Sequence, residues 1–93
     1  MLATVALVDA DGIDRNSGLP PYRELARQLR QQIISGQLRG RLSSEVDLAA
    51  DWRVGKGTVR KALRLLREEG LIETHHGYGS RVLPPAERRG HAP

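Results

Sequence analysis

Between residues 20 and 83, apolar positions recur three times at helical spacing and then alternate with polar ones. Tyr22, Leu25, Ala26, Leu29, Ile33 and Ile34 form the first stripe, from Tyr22 to about Ser35, with Arg23, Glu24, Arg27, Gln28, Arg30 and Gln31 on the remaining arc. Pro20-Pro21 can seed this helix at its first turn, and Gly36 is placed to stop it. Leu42 in the connection is expected in the core. Ser44-Glu45-Val46-Asp47 then fits a capping box with Asp in place of Glu. It opens a short helix to about Trp52 whose Leu48, Ala49 and Trp52 face inward, while Val46 finds no obvious place. Val59, Ala62, Leu63 and Leu66 carry the third stripe, which Gly70 ends. Glu68 and Glu69 sit at that helix's negative end, so no contribution to helix stability is expected of them. Leu71 to Thr74 and Ser80 to Leu83 read as two strands around a tip, His75 to Gly79, and Pro84-Pro85 closes the pattern.

A capped short helix, the turn Arg53-Val54-Gly55 and a basic amphipathic helix make a helix-turn-helix, with Val54 as a plug between the helices. The preceding helix and following hairpin complete a winged helix: mostly α with a small β-hairpin. The expected organisation is a flexible tail over 1–19, the domain over 20–84 and a disordered basic tail over 85–93. In the first tail, Asp9, Asp11 and Asp14 resemble a calcium loop only superficially, because no Glu closes it.

Charge narrows the picture. The chain of 93 residues has a formal net charge of +4 and a pI near 10.3. Residues 1–19 carry three Asp and one Arg, so the other 14 basic and 8 acidic residues give 20–93 a net of +6. Basic domains of this kind are candidates for nucleic-acid binding. The third helix concentrates the signal: Lys56, Arg60, Lys61, Arg64 and Arg67 occupy its polar arc, and no acidic residue stands between Arg53 and Arg67. There is no cysteine, so no disulfide or thiolate zinc site is available, and His75, His76 and His91 lack metal-ligand spacing. No cofactor or metal is expected. Met1 to Val8 is too short for a membrane span and lacks a cationic start. A cytoplasmic protein without membrane association is expected.

These fragments, taken in order, resemble the DNA-binding domain of the GntR family of bacterial transcription regulators. Pro21-Tyr22 with Leu25-Ala26 opens the match, and Ile33 to Leu38 is similar to the family's I-x-x-G-x-L helix end. Leu42 to Ala49 resembles L-P-S-E-x-x-L-A, and Val54 to Leu63 resembles V-S-x-x-T-V-R-x-A-L. Leu66, Glu69 to Ile72 and His76 to Ser80 resemble the L-x-x-x-G-L-I segment and the glycine-bearing wing. The resemblance covers roughly residues 20–83. It implies a winged helix working as a homodimer on a palindromic duplex operator, with Gly55, Lys56, Gly57, Thr58 and Arg60 at the family's contact positions and His76 and Gly77 in the wing. There are departures. Ser43 replaces a proline, the loop Arg39-Gly40-Arg41 is shorter, and Val46 stands where the family commonly carries an arginine that reaches DNA. Family members usually carry a further C-terminal domain. Ten residues follow Leu83, which fits either a short regulator or a fragment of a longer one, and no small-molecule effector site is evident.

In such a fold the second helix of the helix-turn-helix enters the major groove, its N-terminal residues nearest the bases. Arg60 and Lys56 can bond guanine O6 and N7, each good bidentate contact discriminating by about 1–3 kcal/mol. Gly57 suggests close approach of backbone to DNA, and Gly55 reads equally as a cap. The expected DNA-contact set is Ser44, Lys56, Gly57, Thr58, Arg60, Lys61, Arg64, His76, Gly77 and Tyr78, with helix 55–69 in the groove and wing 75–80 on the adjacent groove or backbone. The function expected is sequence-specific transcription regulation, by repression. The runner-up is a winged-helix interaction module whose basic face meets an acidic protein. No nucleophile–base pair or phosphate-binding loop supports an enzyme, and too few aromatic residues are present to stack single-stranded bases.

Overall fold

A computed structural model describes residues 16–75 and 79–88. Helix α1 spans Pro21–Ile34, α2 Glu45–Trp52 and α3 Lys56–Glu68, followed by β1 Ile72–His75 and β2 Gly79–Val82. The strands pair antiparallel in the register Ile72 with Val82 and Thr74 with Ser80. This is the expected winged helix.

Each helix begins and ends for a local reason. In α1, Pro21 occupies the first turn, where its missing N–H is no loss, and the Pro20 carbonyl accepts from the amides of Arg23 and Glu24. Ser44 Oγ caps α2 by accepting from the Asp47 amide at 3.1 Å. Arg53 ends that helix at φ 57°, the one non-glycine residue with positive φ among those described. This turn sets α3 across α2. Gly70, at φ 78°, takes the chain out of α3, and the Leu71 amide donates back to the Leu66 carbonyl.

The core lies where the three stripes meet the inner face of the hairpin. Leu25, Ala26, Leu29 and Ile33 of α1 pack with Leu48 of α2 and with Val59, Ala62, Leu63 and Leu66 of α3, while Leu42, Ile72 and Val82 close the hairpin side. Trp52, Val54 and Tyr22 are half-buried rather than enclosed. Trp52 was expected deeper; in so small a body the end of α2 reaches the surface, and its ring packs against the rim of the core.

Two positions of α1 reverse their sequence reading. Ile34, counted in the apolar stripe, is 64% exposed because it stands about 100° around the helix from the buried Ile33, off the arc that meets the core. Glu24, read as part of the solvated arc, is wholly buried. Its carboxylate accepts from Arg27 Nε at 2.9 Å, Arg27 Nη2 at 2.6 Å and Gln28 Nε2 at 2.8 Å, so the buried charge is paired and hydrogen-bonded. The Arg27 guanidinium, with Gln28 assisting against the effect of burial, holds the Glu24 carboxyl below the usual carboxylate range.

The connection before α2 is also more ordered than its composition suggests. The Leu42 amide donates to the Ser80 carbonyl at 2.9 Å, and the Val82 amide to the Gly40 carbonyl at 2.7 Å. Arg41 thereby bridges antiparallel to Arg81, adding a minimal third strand beside β2. After β2, Pro85–Glu87 forms a 3-10 turn. Residues 85–88, expected as the start of a disordered tail, are held there by Arg88 Nε donating to the Leu83 carbonyl and by Arg81 reaching Glu87. Residues 1–15 and 89–93, and the tip residues His76, Gly77 and Tyr78, lie outside the described residues.

Candidate nucleic-acid interface

The polar arc of α3 follows from the helical repeat. With Val59, Ala62, Leu63 and Leu66 turned into the core, positions 56, 60, 64 and 67 fall in a row on one exposed flank and 57, 61 and 68 on the face opposite the core. Lys56, Arg60, Arg64 and Arg67 therefore form a cationic ridge along the helix, and all four are exposed. Beside the ridge lies an open groove of about 830 Å³ whose other wall comes from the N-terminus of α2 and from the hairpin; Arg41, Ser44, Glu45, Thr74 and Ser80 line it.

Arg60 is oriented rather than loose. Its Nε donates to Glu45 Oε1 at 2.9 Å, although its side chain remains 63% exposed. Bonding through Nε leaves the outer edge of the guanidinium, with both terminal nitrogens, pointed away from the carboxylate and available for a two-bond contact. Glu45, part of the capping segment at the start of α2, holds Arg60 from that neighbouring helix. Lys56 and Arg64 make no ion pair among the described residues.

The other sequence-selected residues fall on and around this ridge. Gly57 and Thr58 lie in the first turn of α3, Gly57 exposed and Thr58 half-buried. A Cβ built on Gly55 or Gly57 would meet nothing within 4 Å, so the domain's own packing does not require glycine at either position. Lys61 sits apart from the ridge, its Nζ 5.6 Å from the centroid of the Tyr22 ring, which Arg23 also approaches at 5.7 Å. Ser44 is engaged as the α2 cap, its hydroxyl free to donate while its oxygen accepts. Val46, where an arginine might have reached outward, is 61% exposed and apolar.

Three residues that the sequence pattern did not single out as contacts, Arg41, Thr74 and Ser80, also line the site. Arg67 Nη1 donates to Thr74 Oγ1 at 3.1 Å, and Thr74 Oγ1 lies 2.8 Å from Ser80 Oγ across the strands. Arg41 reaches the same groove through its bridge to β2. Strand alternation places Thr74 on the same face as Ile72 and Ser80 on the same face as Val82, nearer the tip, but bringing the two hydroxyls together needed the hairpin's register. On the hairpin, Glu73 instead pairs with His75 at 3.0 Å and with Arg81, and these two partners hold its carboxyl below the ordinary range.

Residues 21–82 match the family model described as bacterial regulatory proteins, gntR family. The chain belongs to this family. Its fold is that of a winged-helix DNA-binding domain. Among relatives, it is 38% identical over 66 residues to the HTH-type transcriptional regulator SmoD of Agrobacterium fabrum, covering 69% of this chain and 28% of SmoD. It is 38% identical over 65 residues to the mannosyl-D-glycerate transport/metabolism system repressor MngR of Escherichia coli, covering 68% of this chain and 27% of MngR. The chain thus spans less than a third of the length of either regulator. Among solved structures, the GntR-family transcription factor YtrA from Sulfolobus acidocaldarius superposes with a TM-score of 0.72 at 32% identity, covering 80% of each chain. The DNA-binding domain of AraR, solved in complex with operator ORX1, gives 0.67 at 27% identity, covering 70% of this chain and 81% of that one. Among the described residues, no helix is long and apolar enough to cross a membrane.

Proposed function

We propose that this domain binds a duplex operator sequence-specifically, as the DNA-reading part of a cytoplasmic repressor, and that it does so as a homodimer on a palindromic site. The observation that carries the reading is the paired geometry of Glu45 and Arg60: a carboxylate on α2 aims the outer edge of a guanidinium away from the protein, at the leading end of a ridge with unpaired Lys56 and Arg64. An arginine presented in this way is suited to the O6/N7 edge of guanine. Lys56 stands one turn nearer the helix start and serves a neighbouring base or phosphate. Gly57 lets the backbone approach the duplex, and the free N–H groups at the start of α3, which has no side-chain cap, favour an anion there. Ser44, Thr58, Lys61 and Arg64 then contact the flanking backbone, and the wing residues His76, Gly77 and Tyr78 reach the adjacent groove. The related repressor MngR and the operator complex of the AraR domain support repression and operator reading. The chemistry is recognition: the ridge holds cations and hydroxyls, and nothing in its layout calls for a catalytic step.

Energetics supports the dimer. One copy places few cations on phosphates, whereas two copies on half-sites about one helical turn apart, roughly 34 Å, double the contacts. The described body is 35 Å in its longest dimension, which suits that spacing. Selection of bound duplexes from a random pool tests the reading. A palindromic consensus with guanine in each half-site is expected. Recovery of duplexes without any consensus overturns it.

A further inference from the structure

Arg67 stands out among the arginines because of what it bonds. Arg27, Arg30, Arg60 and Arg81 each donate to a carboxylate. Arg67 instead donates to a neutral hydroxyl, Thr74 Oγ1, which in turn shares a hydrogen bond with Ser80 Oγ. Thr74 Oγ1 accepts from Arg67, and either hydroxyl can donate in the Thr74–Ser80 bond; in both arrangements one hydroxyl hydrogen is left to point onward. Among the described residues the guanidinium meets no carboxylate within ion-pair distance and spends one of its five N–H groups, on Thr74. Glu73 and Glu87 line the hollow that Arg67 and Thr74 share on the hairpin side, but Glu73 is drawn to His75 and Arg81 and Glu87 to Arg81, and strand alternation puts Glu73 on the other face from Thr74. The result is a donor-rich surface seat at the end of the groove where α3 meets the hairpin.

We infer that Arg67, Thr74 and Ser80 form a phosphate seat for the duplex backbone, distinct from the base-reading start of α3. This rests on the proposed reading of the domain. The spacing supports it. Arg67 lies seven residues beyond Arg60, about 10 Å along the helix axis, and the major groove is about 12 Å wide. A helix whose leading residues touch bases therefore carries a residue two turns back toward the bordering strand. The hydroxyl chain fixes the wing to α3 at that point, so one contact both holds a phosphodiester and sets the wing's angle.

The test uses the full chain with a duplex recovered by selection and with a scrambled duplex of equal length, across a salt series. Arg67→Gln is expected to weaken both by a similar factor of several-fold, to lower the slope of log affinity against log salt by roughly one, and to leave the preference between the duplexes intact. A methylphosphonate stepped along the strand should weaken the wild type at one position per half-site, a position to which Arg67→Gln has become blind. Ser80→Ala should give a smaller loss at the same position. Three results overturn the seat: an unchanged salt slope, a changed base consensus, or a lowered melting temperature with duplex affinity untouched, which makes Arg67 merely structural. Arg60→Ala separates the two proposals. If it abolishes the preference between duplexes while Arg67→Gln leaves the slope unchanged, the reading stands and the seat falls. If the wild type prefers neither duplex, the reading falls, and the seat falls with it.

Discussion

Helices α1 and α3 are both amphipathic and both rich in arginine, yet their cations are spent differently. Along α1, Arg27 closes on the buried Glu24, and Arg30 forms a two-bond pair with Glu69 at 2.6 and 2.7 Å. These charges tie the helix to itself and to the end of α3. Along the α3 ridge, one carboxylate, Glu45, meets one arginine, and it aims that arginine outward. Arginine count alone, three in each helix, would rank the two alike. What separates them is whether the fold supplies an acid that ends the interaction or one that directs it.

Exchanging the two kinds of arginine tests this contrast most strongly. Arg60→Ala should cost operator affinity about 1–3 kcal/mol, or roughly 5- to 150-fold, with the melting temperature near wild type. Arg30→Ala should leave operator affinity in place and lower stability by at most about 1 kcal/mol, since that pair is partly solvated. Binding isotherms beside thermal melts decide it, and equal binding losses from both would erase the distinction. A second prediction concerns Glu24. The Arg27 guanidinium holds its folded carboxyl below the ordinary carboxylate range, so its contribution is present above that range and is lost as pH falls through the lower folded value. Glu24→Gln should lower stability near neutrality by about 1–3 kcal/mol and flatten the acid limb relative to wild type. Melts across an acid series measure both effects. The smallest effect is at Gly57. With open space around a built Cβ, Gly57→Ala should stabilise the fold by up to about 1 kcal/mol while weakening operator binding. A stabilised variant that binds as well as wild type would show that the backbone does not approach the duplex there.

The stripes made most of this fold legible. Leu25, Leu29, Val59, Leu63 and Leu66 announced which faces turn inward, and the capping pattern at Ser44 located the start of α2 to the residue. The cationic arc of α3 was equally plain. Less legible were the interactions between elements distant in sequence. Periodicity assigns Glu24 to a polar arc but cannot tell that the arc dips under α1's approach to its neighbours. It flags Glu69 as mismatched to its helix end without revealing Arg30, 39 residues earlier, as the partner. Glu45 and Arg60, 15 residues apart, became a pair only once the turn at Arg53 had crossed the helices. Arg67, Thr74 and Ser80 needed the strand register as well.

The short strand at Gly40 to Leu42 divides the loop before α2 into two parts with unequal freedom. Between Gly40 and Leu38, whose amide donates to the Gln32 carbonyl and whose side chain packs on the core, added residues change only slack, because closing a slightly longer loop is inexpensive. Downstream, a single inserted residue would turn Leu42 out of the core and Arg41 into it, and the shift would drag Glu45 off the guanidinium it aims. Length variation in this connection is therefore tolerable only between Leu38 and Gly40, and grafting a longer loop from a relative should succeed or fail according to which side of that glycine receives it.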